Sequence, residues 1–296
     1  MKLSGLVKVV SDTEQQLRQL IRRFLPTIDA NSCQISLVEG LSGKSWRIAD
    51  QKVSLLARPQ TVQRQQLGIN RRREAAALKR CGPPLAPRVI LQQAGWLLVE
   101  WLPGECVDPE TFNACLYNGQ LAATMAQLHQ CGCSGYRINL QQQFAAYWQQ
   151  IDRRRLTPRW LAWQRYFSHG NMPTPLMLAP LHMDIHADNL LHSAGKLQLI
   201  DWEYAADGDI ALELAALFRF NQFSSTQQRL FLSDYSQHGY RDLARLTQQI
   251  ARWAVWVDYL MLMWFEVRWQ QSQDSALLQQ GAALYRQFCL PTKFSC

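Results

Sequence analysis

Residues 182–189 read His182-Met183-Asp184-Ile185-His186-Ala187-Asp188-Asn189, and two short apolar runs, Leu190-Leu191 and Leu197-Gln198-Leu199-Ile200, lead from them to Asp201-Trp202-Glu203. The apolar runs flank Ser193-Ala194-Gly195-Lys196, a small polar stretch with a glycine, so the segment reads as a short β-hairpin. The two ends of a hairpin lie side by side. Polar residues before the first strand and after the second are therefore aimed at one spot, and Asp184, Asn189 and Asp201 become one candidate cluster.

On both sides of residue 103 the surrounding sequence has a different texture. Beyond it nearly everything except that hairpin reads helical: Leu121, Met125, Leu128 and His129 form one stripe at helical spacing, and Trp253, Trp256, Val257, Leu260, Met261 and Trp264 form another. Before it, Asp12-Thr13-Glu14-Gln15 reads as a capping box, and Leu17, Leu20, Ile21 and Phe24 follow until Pro26 ends the helix. Cys33, Ile35 and Leu37 then alternate with polar neighbours up to Gly40-Leu41-Ser42-Gly43-Lys44-Ser45, and Trp46, Ile48 and residues 53–58 continue an antiparallel meander around that glycine loop. Residues 71–80 are rich in helix formers and stop at Cys81-Gly82-Pro83-Pro84, while residues 89–91 and 96–101 make a second hairpin. Pro and Gly interrupt the pattern at Leu102-Pro103-Gly104-Glu105. The prediction is an α+β protein of two lobes: residues 1–102 a small antiparallel sheet with one helix behind an N-terminal helix, and residues 103–296 mainly helical.

Composition bounds the function without naming it. With 48% hydrophobic and 18% charged residues among 296, the chain has ample core material and lacks the signature of disorder. Its 31 Lys and Arg outnumber 23 Asp and Glu, a formal +8 that favours a phosphate-bearing partner. Residues 1–8 contain no apolar run of the roughly 7–15 residues of an export signal, so the eight cysteines are expected to be reduced thiols of a cytoplasmic protein. The longest apolar stretch, residues 254–265, is broken by Asp258 and falls short of the ~20 residues that cross a bilayer, so no membrane span is expected.

The polar cluster has a specific chemical reading. Residues 182–189 fit H-x-D-x-x-x-x-N, the catalytic-loop pattern of kinases, and Asp201 follows an apolar strand where kinases place the metal-binding Asp of D-F-G. Phosphoryl transfer needs one carboxylate to orient and deprotonate the acceptor hydroxyl, and separate oxygen ligands to hold Mg²⁺ against the nucleotide phosphates. Asp184 takes the first role, Asn189 and Asp201 the second.

Together with Ile200-Asp201-Trp202-Glu203-Tyr204-Ala205 and Gly208-Asp209-Ile210-Ala211-Leu212-Glu213-Leu214, these residues resemble the aminoglycoside phosphotransferase/choline kinase superfamily, and within it the bacterial thiamine kinases. The likeness extends to the glycine loop, to residues 98–104, to residues 121–130 and to Trp264-Phe265-Glu266-Val267-Arg268-Trp269. It implies a protein-kinase-like two-lobed fold, ATP and Mg²⁺ as cofactors, and thiamine as the alcohol phosphorylated to thiamine monophosphate, with choline, an aminoglycoside or another amino-alcohol as the alternative acceptor within the same fold. It also implies adenine recognition by backbone groups near Glu100 to Leu102, a flap over the phosphates at Gly40, Ser42 and Gly43, and a phosphate-neutralising Arg58 paired with Glu74. Two positions depart from the family pattern: Met183 stands where Gly is frequent, and Arg58 where Lys is usual. A thiazolium can be held by aromatic faces and a carboxylate, so Trp264 and Glu266 are candidate acceptor contacts, although on one helix residue 266 lies nearly opposite 264 and 268.

Other readings of the same residues are weaker. Gly43-Lys44-Ser45 imitates the end of a Walker A motif, but that motif needs Gly where Val38 stands, and the loop lies between strands. A metallohydrolase would use His182, Asp184, His186 and Asp188 and would leave Asn189, the hairpin and Asp201 unexplained. His129, Cys131 and Cys133 lack the second ligand pair of a zinc finger. The Arg runs 71–73 and 153–155 come without interleaved exposed aromatics, so no nucleic-acid partner is expected, and no obligatory protein partner either. A non-catalytic nucleotide-binding module is the alternative from a different class, and the complete Asp184, Asn189, Asp201 set argues against it.

Overall fold

The computed structural model describes residues 11–40, 43–193 and 195–288. Its first lobe is a five-stranded antiparallel sheet of β1 (Gln34–Gly40), β2 (Gly43–Ala49), β3 (Ser54–Pro59), β4 (Val89–Gln93) and β5 (Trp96–Glu100), in the order β1-β2-β3-β5-β4. Alternation along the strands divides their side chains between two faces. Ile48, Leu55, Ala57 and Leu98 pack under α1 (Asp12–Phe24) through its Leu17, Leu20 and Ile21. Leu56 and Arg58, the alternate residues of β3, line the cleft between the lobes instead. The first helix begins one residue earlier than its sequence suggests: Ser11 is the N-cap, and its hydroxyl accepts the Glu14 amide at 3.2 Å.

Two helices join β3 to β4, α2 (Val62–Gln66) and α3 (Arg71–Cys81). Asn70 caps α3 by accepting the amides of Arg72 at 2.9 Å and Arg73 at 3.2 Å, a cap that contributes about 1 kcal/mol. Gly82 closes the helix at φ +56°, a left-handed conformation that suits glycine. Ala75, Ala77 and Leu78 belong to the large core of the helical lobe, so α3 packs across the junction of the lobes.

The second lobe contains α4 (Pro109–Tyr117), α5 (Gln120–Gln130), α6 (Leu140–Trp148), α7 (Pro158–His169), α8 (Ile210–Phe220), α9 (Ser225–His238), α10 (Leu243–Ser272) and α11 (Ser275–Gln287). The 30-residue α10 buries Trp253, Trp256 and Val257 of the predicted stripe, together with Tyr259, in one core with Phe144 and Phe167, and leaves Leu260, Met261 and Trp264 partly buried against it. The expected hairpin is β7 (Leu190–Ser193) paired with β8 (Lys196–Leu199); Ala194 at its turn lies outside the described residues. A second two-stranded sheet, β6 (Leu178–Leu181) with β9 (Ala206–Asp209), corrects the expectation of a single hairpin among helices. Its strands, Leu-Ala-Pro-Leu and Ala-Asp-Gly-Asp, are four residues long and show no alternation. Asp207 and Asp209 are buried there because their carboxylates are satisfied. Asp207 accepts the amides of Ser134 at 2.8 Å and Gly135 at 2.7 Å, and Asp209 accepts the Trp253 indole at 2.8 Å and the Gln249 amide at 2.9 Å. Among the described residues no helix is long and apolar enough to cross a membrane.

Candidate active site

Residues 182–189 leave the end of β6 and turn back into β7, so their shape depends on what holds the turn. His182 is fully buried, and its Nε2 donates to the Ile200 carbonyl at 2.8 Å, tying the loop to the strand that delivers Asp201. Burial lowers its basicity and keeps the ring neutral, a structural role. Glu213 on α8 accepts the amides of His182 at 2.5 Å and Met183 at 2.9 Å. Met183 sits at φ +66°, the left-handed region, which explains why glycine is a natural residue at this position. Burial pushes the Glu213 carboxyl up to about 7, while the two amides pull it down.

The loop and the residues after β8 bring three functional groups to one place. Asn189 Nδ2 donates to the Asp184 carbonyl at 2.9 Å and to Asp184 Oδ2 at 3.0 Å, which fixes the carboxylate and leaves the Asn189 Oδ1 as an acceptor. Asp201, just beyond β8 at φ +60°, receives the Arg58 guanidinium of β3. Arg58 also reaches Glu74 on α3 at 3.0 Å and Glu203 at 2.7 Å. Arg71 bonds Glu74 and lies 3.5 Å from Glu203. Arg58, Arg71, Glu74 and Glu203 are all at most 5% exposed, so this is a buried network crossing from the sheet lobe to the helical lobe. Burial opposes charge on both partners, yet Arg58 keeps the Asp201 carboxyl below its usual range, and the three carboxylates raise the guanidinium above its own. Arg64 donates to the carbonyls of Pro59 and Lys44, each at 2.9 Å, bracing β2 beside the glycine turn; burial and then the charges of Arg71 and Arg58 lower it to about 10.

The groups open into a cavity of about 720 Å³ between the lobes. Arg58, Glu74, Gly43, Glu100, Leu102, Asp184, Asn189, Asp201 and Trp264 all line it. Gly40 is the end of β1, opposite Gly43 in the turn; Ser42 lies outside the described residues. The amides of Glu100 and Trp101 are engaged by the Arg88 and Ser54 carbonyls, each at 2.9 Å. Glu266 does not reach the cavity. Its carboxylate is bound bidentately by Arg155 at 2.8 and 2.9 Å, and the same guanidinium lies 4.3 Å from the Trp269 ring. The geometry thus separates Trp264 from Glu266, as helical periodicity requires.

A profile described as the phosphotransferase enzyme family matches residues 37–248, from β1 into α10, and so takes in the whole network and the catalytic-loop pattern. The chain belongs to this family. Among relatives of this phosphotransferase, a thiamine kinase of Escherichia coli O157:H7 is 37% identical over 275 residues, covering 92% of this chain and 95% of that one. One from Shigella dysenteriae serotype 1 shows the same figures. Among solved structures, the choline kinase LicA from Streptococcus pneumoniae superposes with a TM-score of 0.71 at 17% identity, covering 94% of this chain and all of the other. At that identity the likeness concerns the fold, and it is the two-lobed arrangement expected from the sequence.

The donor set of the phosphotransferase discriminates between metals. Asn189 Oδ1 and the Asp201 carboxylate are hard oxygen donors, and Arg58 already places a positive charge against Asp201. Two protein oxygens completed by phosphates and water suit Mg²⁺. Among the described residues no three His, Cys, Asp or Glu side chains converge on a point, which disfavours the transition-metal reading of His182, Asp184, His186 and Asp188. Glu213 and Arg71 are the residues that motif spacing misses. A lone acid in the apolar run Ile-Ala-Leu-Glu-Leu-Ala-Ala-Leu is itself a hint, since a buried carboxylate needs donors. Tyr204 is a further one: its hydroxyl accepts the Trp264 indole N–H at 2.9 Å on the cavity wall.

Proposed function

We propose that this phosphotransferase is an ATP- and Mg²⁺-dependent thiamine kinase, transferring the γ-phosphoryl group of ATP to the primary hydroxyl of thiamine to give thiamine monophosphate and ADP. The observation that carries the proposal is Asp184, fixed by Asn189 and facing the same cavity as Asp201 and the Arg58–Glu74 pair, in a chain 37% identical to thiamine kinases over 92% of its length. Asp184 orients the acceptor hydroxyl and takes its proton as the new P–O bond forms; the bond between the γ-phosphorus and the bridging oxygen breaks, and ADP leaves with the electron pair. Asn189 and Asp201 would hold Mg²⁺, which when bound neutralises phosphate charge. Arg58 supplies positive charge to the phosphates, and its fork is oriented for this by Glu74 and Glu203. Val38, Leu56, Val99 and the chain from Glu100 to Leu102 form the apolar nucleotide end of the cavity. At the other end Tyr204, Leu260, Met261, Trp264 and Phe265 offer aromatic and soft surfaces to a cationic ring.

The test is ADP release by purified protein with Mg-ATP and a panel of thiamine, choline and an aminoglycoside. Turnover with thiamine at the highest kcat/KM is the expected result. Turnover confined to another alcohol overturns the acceptor assignment while leaving phosphoryl transfer intact.

A further inference from the structure

Part of the cavity wall is a seam between the lobes. The loop from α2 to α3, residues 67–70, belongs to the sheet lobe, and α6 belongs to the helical lobe. Tyr147, buried on α6, donates its hydroxyl to the Leu67 carbonyl at 2.8 Å, and Gln150 donates to the Gln66 carbonyl at 3.0 Å. Burial keeps the Tyr147 hydroxyl protonated and able to donate. Gly68 follows at φ +82°, and a Cβ there would lie 2.0 Å from Gln143 Oε1, so glycine is what lets the loop rest this close to α6. From the other side Arg73 Nη2 donates to the Gly68 carbonyl at 2.6 Å. Gly68, Arg73, Gln143 and Tyr147 all line the cavity. Phe144 of α6 lies against Trp256 and Tyr259 of α10, the helix that supplies Trp264 and Phe265 to the same cavity.

We propose that residues 66–68 form a strap whose fastening by Tyr147 closes the cleft over the acceptor alcohol, which makes Tyr147 a positioning residue for the acceptor and not for the nucleotide. The inference rests on the assignment of the α10 end of the cavity to the acceptor.

A wall built inside one lobe is fixed by packing, whereas a wall built across two lobes parts when they move. The backbone bonds of the strap are local. The amides of Leu67 and Ile69 go to the Arg64 carbonyl at 3.0 and 2.9 Å, and that of Gly68 to the Gln65 carbonyl at 2.9 Å. The bonds that tie its carbonyls to the other lobe come from the side chains of α6. Leu67 is buried, so without the Tyr147 hydroxyl its carbonyl becomes an acceptor without its donor, and the strap gains by lifting toward water. Lifting takes Gly68 off the cavity wall. The Arg58–Glu74 pair is made without the strap, so the nucleotide end is spared.

Hydrogen exchange of the full-length protein, read by mass spectrometry over a peptide spanning residues 62–70, tests the fastening. In Tyr147→Phe these amides should exchange about 3–10-fold faster than in wild type, with peptides from β4 and β5 unchanged. Steady-state kinetics with the best alcohol of the panel tests the role: KM for the alcohol should rise about 3–10-fold while KM for ATP stays within about twofold. Gln150→Ala, at the rim of the seam, should move both readouts in the same direction by less. Equal exchange in Tyr147→Phe and wild type overturns the proposal, and so does a rise of both KM values together. Absence of turnover with every alcohol refutes the proposed activity instead, and the exchange rates alone then decide whether Tyr147 fastens the strap.

Discussion

Asp184 does its proposed work through one atom pair. Its Oδ2 is held by Asn189 at 3.0 Å, so the carboxylate is oriented before any acceptor arrives. Removing it in Asp184→Ala takes away the base and leaves the nucleotide end of the cavity in place. Steady-state assays should show kcat lower by about 10²–10⁴-fold, with nucleotide affinity by calorimetry nearly unchanged; full activity would remove Asp184 from the mechanism. Trp264 and Glu266 make a second, paired prediction. Only Trp264 lines the cavity, so Trp264→Ala should raise KM for thiamine about 10-fold, for loss of ~1–2 kcal/mol of ring contact, while Glu266→Ala should leave KM unaltered and reduce thermal stability through the lost Arg155 pair. Equal KM changes in both variants would contradict the separation. The sequence makes Asp184, Asn189 and Asp201 legible because a hairpin converts their spacing into proximity. Glu266, two residues from Trp264 on the same helix, faces away from the cavity, as its spacing already implies.

The elements act through what braces them. Helix α8 presents Glu213 to the amides of His182 and Met183, so the catalytic loop is anchored by a carboxylate on a different element. Glu213→Gln keeps the shape but turns an amide N–H₂ toward a backbone donor, which should cost about 1–3 kcal/mol and lower kcat by displacing Asp184. Its pH dependence has a definite sign. Burial raises Glu213 in the folded state from 4.5 to about 7, so the folded protein holds this proton more tightly than the unfolded chain. The stability it contributes is present below pH 4.5 and is lost as the pH rises through about 7. His182, lowered by burial, works in the other direction, gaining stability as the pH rises toward its ordinary value of 6.5. The difference between wild type and Glu213→Gln therefore isolates the carboxyl. Melting curves should show wild type losing stability relative to the variant between pH 4.5 and 7, and parallel curves would refute the anchor's burial. At this scale the long elements were readable, and β6 and β9 were not. They are as short as β7 and β8 but have no tight turn joining them to mark a hairpin, and the β9 carboxylates, Asp207 and Asp209, are buried only because distant residues satisfy them.

Across the whole molecule, the +8 excess explains little about the site, because the decisive balance is local. Arg58, Arg64 and Arg71 face Glu74, Asp201 and Glu203 at the junction of the lobes, three cations against three carboxylates, in ground that is mostly dry. Arg71 and Glu74 are neighbours at i,i+3 on α3, but the pairings with Glu203 are not visible from spacing, since Arg58 and Glu203 come from opposite lobes. A cation bound at Asp201 would compete with Arg58 for that carboxylate, and Glu203 is the acid that keeps the guanidinium in place when it does. Glu203→Gln leaves the buried arginines short of one negative charge. Breaking a buried pair in this way costs about 3–5 kcal/mol, and at about 2–4 °C per kcal/mol the melting temperature should fall by about 6–20 °C. Adding Mg²⁺ and a non-hydrolysable nucleotide should recover part of that loss, because the phosphates give Arg58 a new anionic partner. A melting temperature within a degree of wild type in the absence of ligands would show that the two lobes do not depend on this network.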